Sequence, residues 1–529
     1  MATSTSSAPR IAPDLPSSAA RGIRQYGLRA WLAAERTLDA ALGARANPLR
    51  HLGSIGLLAF ATLAASGVVL FALFDTSVDG AYRSIEGLAR VPLGLGRLLR
   101  GLHRYAADLL MLVLLLHVAR EWLHGHERGA RRFHWLTGVP LVTFIFASAI
   151  GGFWLIWDQL AQYSALSTAE WLDALPLLST PLARNFLSPA SVGDRLFSLF
   201  VFVHVGVPLL LLFGLWFHIQ RLAHVPMAPP RPLMLGLLAT LALLALLRPV
   251  NSHAPAALDH VPQALHLDWL LLWLHPLTDA TSSAFTWTLV LGGMLLLFLL
   301  PFLPQPRRAA TAVVDPDNCN GCKRCFVDCP YAAVTMVPHP NQRVGRQLAV
   351  VDPDLCVGCG ICAGACPSST PFRSTECLVT GIDMPQLPID ALRKRLRQGI
   401  SASGSERPLV VFGCDHGAAV NSVQGEDVIA FGLLCAGQLP PSFVEYALRD
   451  GAAGVVVAPC ADGGCEFRLG ARWTAERLAG MREPHLRAHV PGERIELVHA
   501  GPGQETLLAS SVKTLRQRVQ SMTIEADED

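Results

Sequence analysis

Two apolar stretches of this 529-residue chain each carry a pair of histidines fourteen positions apart: His103 with His117, and His204 with His218. At about 100° and 1.5 Å per residue this step is close to four helical turns, so both histidines of a stretch share one face, roughly 21 Å apart. Imidazoles are costly in lipid and tend to mark function there. Two such helices side by side predict two histidine pairs at two depths of a bilayer, each able to clamp an iron from both sides as axial ligands do in haem proteins. Few architectures other than a membrane-spanning helix bundle satisfy that pattern.

The composition agrees. Hydrophobic residues make up 51% of the chain, charged ones only 16%, and the mean hydropathy is +0.37, too apolar for one soluble domain of this length. Six segments are long and apolar enough to predict crossings, near 53–74, 103–121, 138–159, 196–220, 232–249 and 283–303. The stretch Leu267–Leu277 is expected as a partial or surface helix. Residues 1–50 form an N-terminal tail and an amphipathic segment, Gly22 to Leu42, which suits a membrane surface or a plain soluble helix. There is no early apolar core of the signal-peptide kind, so the first span is expected to direct insertion. A net charge of +2 gives no polyanion signal, and no nucleic-acid partner is expected.

Arginines cluster before the first span (Arg24, Arg29, Arg36, Arg45, Arg50), between the second and third (Arg128, Arg131, Arg132), after the fourth (Arg221, Arg231) and after the sixth (Arg307, Arg308). The positive-inside bias then places the N-terminus and the whole soluble half in the cytoplasm. The second and fourth spans run the same way, so His103 is expected to pair with His204 near the outer face and His117 with His218 near the cytoplasm. Arg83, Arg90, Arg97 and Arg100 depart from the bias. Gly53 and Gly67 in the first span, and Gly138 and Gly152 in the third, repeat the fourteen-residue step; glycine lets a bulky planar ring approach a helix backbone.

Arg100-Gly-Leu-His103, His117-Val-Ala-Arg120 and Gly152-Phe-Trp-Leu-Ile-Trp157-Asp-Gln159 resemble segments of cytochrome b of the quinol–cytochrome c reductases, with Ile156 where that family has proline. The resemblance implies two b haems, with Arg100 and Arg120 neutralising haem propionates. Leu267-Asp268-Trp269-Leu270 resembles a decayed Pro-Glu-Trp-Tyr motif of the outer quinol site, lacking its proline and tyrosine. It implies Asp268 as the carboxylate that accepts a quinol proton. On the inner side Arg120, Arg221 and His224 are candidates for contact with quinone or haem propionates. The same resemblance implies a homodimer and a multi-pass protein of the bacterial cytoplasmic (inner) membrane.

All thirteen cysteines lie between Cys319 and Cys465. Cys319, Cys322, Cys325 and Cys329-Pro are followed by Cys356, Cys359, Cys362 and Cys366-Pro, the run of two-cluster bacterial ferredoxins, in which the fourth cysteine of each run ligates the other cluster. Cys319, Cys322, Cys325 and Cys366 are therefore expected on one [4Fe–4S] cluster, and Cys356, Cys359, Cys362 and Cys329 on a second. Cys377 is left as a spare buried thiol.

Past Arg407 four short buried strands alternate with helices near 441–450 and 471–481, which predicts a small α/β domain. Cys414, Cys435, Cys460 and Cys465 each follow a strand end, where loops at one edge of a parallel sheet can meet. Four thiolates suit a [2Fe–2S] cluster or zinc. Leu434-Cys435-Ala-Gly, Pro441 to Gly451 and Gly454 to Gly470 resemble the delta subunit of methyl-viologen-reducing hydrogenase, which implies a [2Fe–2S] cluster. It also implies a partner such as a heterodisulfide-reductase-like flavoprotein, a hydrogenase or a formate dehydrogenase. The sequence departs from that family at Gly413-Cys414-Asp-His-Gly417, where two cysteines are lost.

The expected organisation is multidomain: an all-α, six-span cytochrome b-like bundle over 51–305, an α+β dicluster ferredoxin over 311–385, a small α/β domain over 405–505 and a tail over 506–529. Such a row of one-electron carriers, without a dinucleotide-binding fingerprint, is expected to exchange electrons between a cytoplasmic flavoprotein or dehydrogenase and membrane quinone. Two haems at different depths would also permit bifurcation at a quinol. The alternative is an electron-transfer wire without a quinone site.

Overall fold

The computed structural model describes residues 18–43, 45–127, 131–175, 180–186, 191–220, 222–259, 265–303, 310–340, 346–369, 378–461 and 464–528. The chain divides into two compact units, Met1–Gln220 with Val225–Pro306, and Arg221–His224 with Arg307–Asp529.

The first unit is helical: α1 (Ser18–Leu42), α2 (Leu52–Leu73), α3 (Val78–Gly87), α4 (Leu95–His124), α5 (Arg132–Trp154), α6 (Gln159–Asp173), α7 (Asp194–Ile219), α8 (Arg231–Leu247), α9 (Leu274–Ala280) and α10 (Ser283–Leu299). α2 lies along α4, α5 along α7, and α8 also flanks α4. Helix ends follow local chemistry. α4 stops at Gly125, whose left-handed φ of 84° turns its N–H back to the Glu121 and Trp122 carbonyls, the role glycine plays just past a helix end. Asp158 caps α6 by accepting from the Ala161 N–H at 2.9 Å, while its other oxygen accepts from the His253 N–H at 2.9 Å.

Two expectations change here. Among the described residues four helices are long and apolar enough to cross a membrane, namely α2, α5, α7 and α10 with its short extension to Phe302, which leaves the expected six crossings unconfirmed. α8 is apolar but has 17 residues, about 26 Å of helix, short of the roughly 30 Å hydrocarbon core. α4 runs for 30 residues with charged groups at both ends of its apolar run. The third expected span also ends early, because the chain leaves α5 at Trp154, passes Trp157 at φ 54° and starts α6. The amphipathic segment is α1, and it is anchored against the end of α4. Arg24 donates to the Leu123 carbonyl at 3.2 Å and pairs with Glu127 at 3.1 Å, and the Trp31 indole donates to Glu35 at 2.8 Å.

The second unit begins with two antiparallel strand pairs. β1 (Val313–Val314) pairs with β4 (Ile382–Asp383), and β2 (Val334–Pro338) pairs with β3 (Gln347–Val351), Val334 opposite Val351. Between them stand α11 (Arg324–Val327) and α12 (Ile361–Ala365), followed by α13 (Ile389–Ala402). A four-stranded parallel sheet follows, in the order β6 (Val428–Leu433), β5 (Leu409–Cys414), β7 (Gly454–Ala458), β8 (Ile495–Leu497), with α14 (Ser442–Arg449), α15 (Gly470–Leu478) and α16 (Glu505–Glu528). β5 and β7 are buried along their whole length, as the continuous apolar runs of strands covered on both faces require.

Residues 506–528 of the stretch expected as a tail are instead most of α16. Leu508, Val512, Leu515 and Val519 are buried in the core that also holds Leu409, Val411 and Val456. Their spacing draws a helical stripe that a polar, arginine- and serine-rich composition hides.

Candidate functional site

His103 on α4 and His204 on α7 face each other with ring centres 6.3 Å apart and planes inclined at 68°. Each ring commits one nitrogen to the protein. His103 Nδ1 lies 3.1 Å from Ser66 Oγ, whose own proton goes to the Thr62 carbonyl at 2.7 Å, so the imidazole is the donor. His204 Nδ1 donates to the Ser148 carbonyl at 3.0 Å. His218 Nδ1 donates to Thr137 Oγ1 at 3.1 Å, and that hydroxyl in turn donates to the Phe133 carbonyl at 2.9 Å. An N–H held this way fixes the tautomer and leaves Nε2 as a metal ligand. Two metal–imidazole bonds of about 2 Å, with the distance from nitrogen to ring centre added on each side, span roughly 6 Å. The His103–His204 separation therefore fits an axially held haem iron. His218 lies within electrostatic reach of His117 and edge-on to His134, with ring centres 6.0 Å apart.

The four glycines stand opposite these rings. A Cβ at Gly152 would lie 2.9 Å from His204 Cε1. At Gly67 and Gly138 it would lie 3.1 Å from Cε1 of His103 and His218, and at Gly53 4.0 Å from His117 Cε1. What they clear is the edge of the imidazole itself, tightly at three positions and loosely at Gly53.

The charged candidates are engaged within the protein. Arg100 pairs with Glu86 at 2.8 Å and donates to Ser252 Oγ at 2.7 Å. Arg120, buried, pairs with Glu121 at 3.1 Å and reaches Glu35 at 3.6 Å. Asp268 forms an ion pair with Arg104, and its Oδ1 caps the Leu270 and Leu271 N–H groups at 3.0 and 2.7 Å. His224 groups with the second unit, its Nε2 donating to the Val327 carbonyl at 3.2 Å. Arg221 and Cys377 lie outside the described residues. Ser66, Thr137, Ser148 and His134 were not singled out from the sequence. They are ordinary residues of apolar helices, and only the neighbouring helix shows what they serve.

In the second unit Cys319, Cys322, Cys325 and Cys366 line one small cavity, together with Gly321, Lys323, Met336, Ala349 and Ile382. Burial, then the neighbouring Cys322, Cys366 and Cys319, pushes the Cys325 thiol up to about 12. Burial also raises Cys362, with Cys359, Cys329 and Cys356 as its next neighbours. The two runs fold alike. Residues with left-handed φ flank the second cysteine in each, Gly321 (72°) and Lys323 (64°) in one, Gly358 (73°) and Gly360 (76°) in the other. Alternating backbone of this kind makes the concavities that hold iron–sulfur clusters. Among the described residues no three His, Cys, Asp or Glu are grouped closely enough to share one ion. A [4Fe–4S] cube instead spreads its four thiolates over separate irons, and its charge makes the thiolates that burial alone disfavours.

At the ends of β5, β6 and β7, Cys414, Cys435, Cys460 and Cys465 converge, all buried. The Cys460 thiol donates to Cys414 Sγ at 3.3 Å. Cys435 and Cys460 hold the Cys414 sulfur well below the usual thiol range by donating to it. Gly470 is required beside them, since a Cβ there would sit 2.2 Å from Cys435 Sγ.

Comparison with known proteins gives three family matches. Residues 42–225 match cytochrome b/b6/petB, residues 318–370 the 4Fe-4S dicluster domain, and residues 413–523 the delta subunit of methyl-viologen-reducing hydrogenase. Among solved structures a chain of a hyperthermophilic respiratory Complex III is similar at 20% identity and a TM-score of 0.39, over 48% of this chain and 74% of that one. The first family match implies haem and the second [4Fe–4S] clusters. The chain thus joins, in order, a helical region similar to cytochrome b, a ferredoxin region similar to the 4Fe-4S dicluster domain and a small α/β region similar to the hydrogenase delta subunit.

Proposed function

We propose that the chain is the membrane subunit of a redox complex, carrying electrons between a cytoplasmic flavoprotein or dehydrogenase and the quinone pool. The observation that carries this reading is the facing pair His103 and His204, each with its Nδ1 already bonded to protein. Haem held there and between His117 and His218, with two [4Fe–4S] clusters and a [2Fe–2S] cluster on the cysteines, would supply one-electron transfer. The protein's own part is to orient the imidazoles through Ser66, Ser148 and Thr137 and to clear their edges with glycine. It also holds the cysteines on turns and strand ends. α4 and α8 cross the membrane with α2, α5, α7 and α10, the bilayer thinning by a few ångströms to meet the shorter α8, and the soluble half faces the cytoplasm, as the arginine distribution favours.

Purified protein reduced by dithionite tests the reading: added menaquinone or ubiquinone analogues should reoxidise its b-type absorbance. Failure with every quinone sinks the quinone assignment. A second reading, a wire without a quinone site, is favoured by Asp268, whose carboxylate is occupied by Arg104 and two backbone N–H groups. Reoxidation by quinone that survives Asp268→Asn leaves a site elsewhere as the reactive one.

A further inference from the structure

Within the second unit one buried cation ligates no metal and stabilises no strand. Arg477, on α15, is 1% exposed. It donates to Asp328 Oδ2 at 2.6 Å and to the Gly437 carbonyl at 2.8 Å. Asp328 immediately precedes Cys329, and Gly437 lies two residues past Cys435. The Nε–H of Arg477 is also buried and has no hydrogen-bond partner among the described residues, and Cys435 lies within electrostatic reach of the guanidinium. Asp328 is shared with Arg482 at 2.6 Å, and Arg482 also pairs with Glu476 at 2.8 Å.

The same residues stand where two groups of cysteines approach each other. A Cβ on Gly364, in the second ferredoxin run, would lie 2.2 Å from the Gly437 carbonyl, and one on Gly437 would lie 2.9 Å from Ile361 Cγ1. Ile361, 0% exposed, therefore separates the loop of Cys359 and Cys362 from the loop of Cys435. Burying a guanidinium carries a heavy desolvation cost, and a hydrophobic residue of similar volume would often be as stable. Glu476 gives Arg482 a second carboxylate, whereas Arg477 has only its share of Asp328 and keeps an Nε–H without a partner among the described side chains.

We propose that Arg477 is a positioning residue shared by the second ferredoxin centre (Cys329, Cys356, Cys359, Cys362) and the four-cysteine centre (Cys414, Cys435, Cys460, Cys465). Its guanidinium compensates an electron on either and raises the reduction potential of both. The step balances simply: one electron leaves one cluster, which is oxidised by one unit, and enters the other, which is reduced by one unit. No bond breaks and no proton moves. Net charge and hydrogen bonds near the sulfurs are among the terms that set such potentials. This inference rests on the iron–sulfur assignment above and not on quinone chemistry.

The test is an EPR-monitored redox titration of the full chain, comparing the unsubstituted protein with Arg477→Met, Arg477→Lys and Asp328→Asn. Arg477→Met should lower the midpoints of both centres, Arg477→Lys should restore much of the shift, and Asp328→Asn should move the second ferredoxin centre upward. Opposite signs are the signature of charge, which a packing role would not produce. Unmoved midpoints, a shift at one centre only, or shifts of the same sign in Arg477→Met and Asp328→Asn would overturn the proposal. So would loss of a cluster in Arg477→Met with normal potentials in the other two variants. Absence of a [2Fe–2S] signal from the unsubstituted protein would instead reject the cofactor assignment beneath it.

Discussion

The histidine region and the cysteine region solve the same problem by opposite means. His103 and His204 come from helices about a hundred residues apart in sequence, and each ring is steadied by a third and fourth helix through Ser66 on α2 and Ser148 on α5. The ferredoxin cysteines sit on short local turns whose left-handed residues recur in both runs. A helix bundle therefore spreads one site over several distant elements, whereas a cysteine run supplies three of a cluster's four ligands from seven residues. The first is vulnerable to any change in helix spacing, and the second mainly to change within the turn.

The largest expected effect separates the two. Replacing His117 by Leu should remove one of two b haems in a pyridine haemochrome assay while iron–sulfur EPR signals persist; retention of both haems would break the pairing with His218. Next, Gly470→Ala should eliminate the four-cysteine centre, because its Cβ meets Cys435 Sγ at 2.2 Å, and should spare the ferredoxin clusters by iron and sulfide analysis. Glycine substitutions in the bundle should be graded. Gly152→Ala should cost most haem, Gly67→Ala and Gly138→Ala less, and Gly53→Ala little, following distances of 2.9, 3.1, 3.1 and 4.0 Å. An equal loss at all four would show that they face something other than the imidazoles. The smallest change is Ser66→Ala, which removes the acceptor of His103 Nδ1 and should weaken haem retention by about tenfold, at the low end for loss of an outer-shell partner. A haem-extraction assay reads it.

A pH measurement sharpens the cysteine side. Burial raises the Cys325 thiol to about 12 in the metal-free protein, against about 8.5 unfolded. Its neutral form is thus favoured by folding. The associated stability is complete below about pH 8.5 and is lost progressively as pH rises toward the folded value. Iron-free protein should lose denaturation midpoint over that window, and the loaded protein, whose thiolates are already formed, should not.

The legibility of these sites followed the same divide. The fourteen-residue histidine step and the two cysteine runs are periodic or local, so residue type and spacing alone point to them. The strand-end positions of Cys414, Cys435 and Cys460 were legible too, because parallel strands bring their carboxyl ends to one edge. Ser66, Thr137 and Ser148 were not, since a hydroxyl or carbonyl in an apolar helix acquires its role only from the helix opposite. Asp268 reads from sequence as an open carboxylate, yet Arg104, from a helix far upstream, takes it up. α6 was not anticipated, and the third expected span ran on to its first residue, because nothing in the composition marks the break at Trp157.

The position of α16 after the sheet it covers has a consequence in time. Leu508, Val512, Leu515 and Val519 cover Leu409, Val411 and Val456 on the sheet. During synthesis that face of β5 and β7 stays bare until α16 has left the ribosome, since domains form in the order in which they emerge. The bundle and both ferredoxin runs can be in place by then. Maturation of the four-cysteine loops thus comes after that of the ferredoxin runs, and a nascent chain arrested before residue 505 should retain the membrane and ferredoxin parts while exposing a sticky, half-finished sheet.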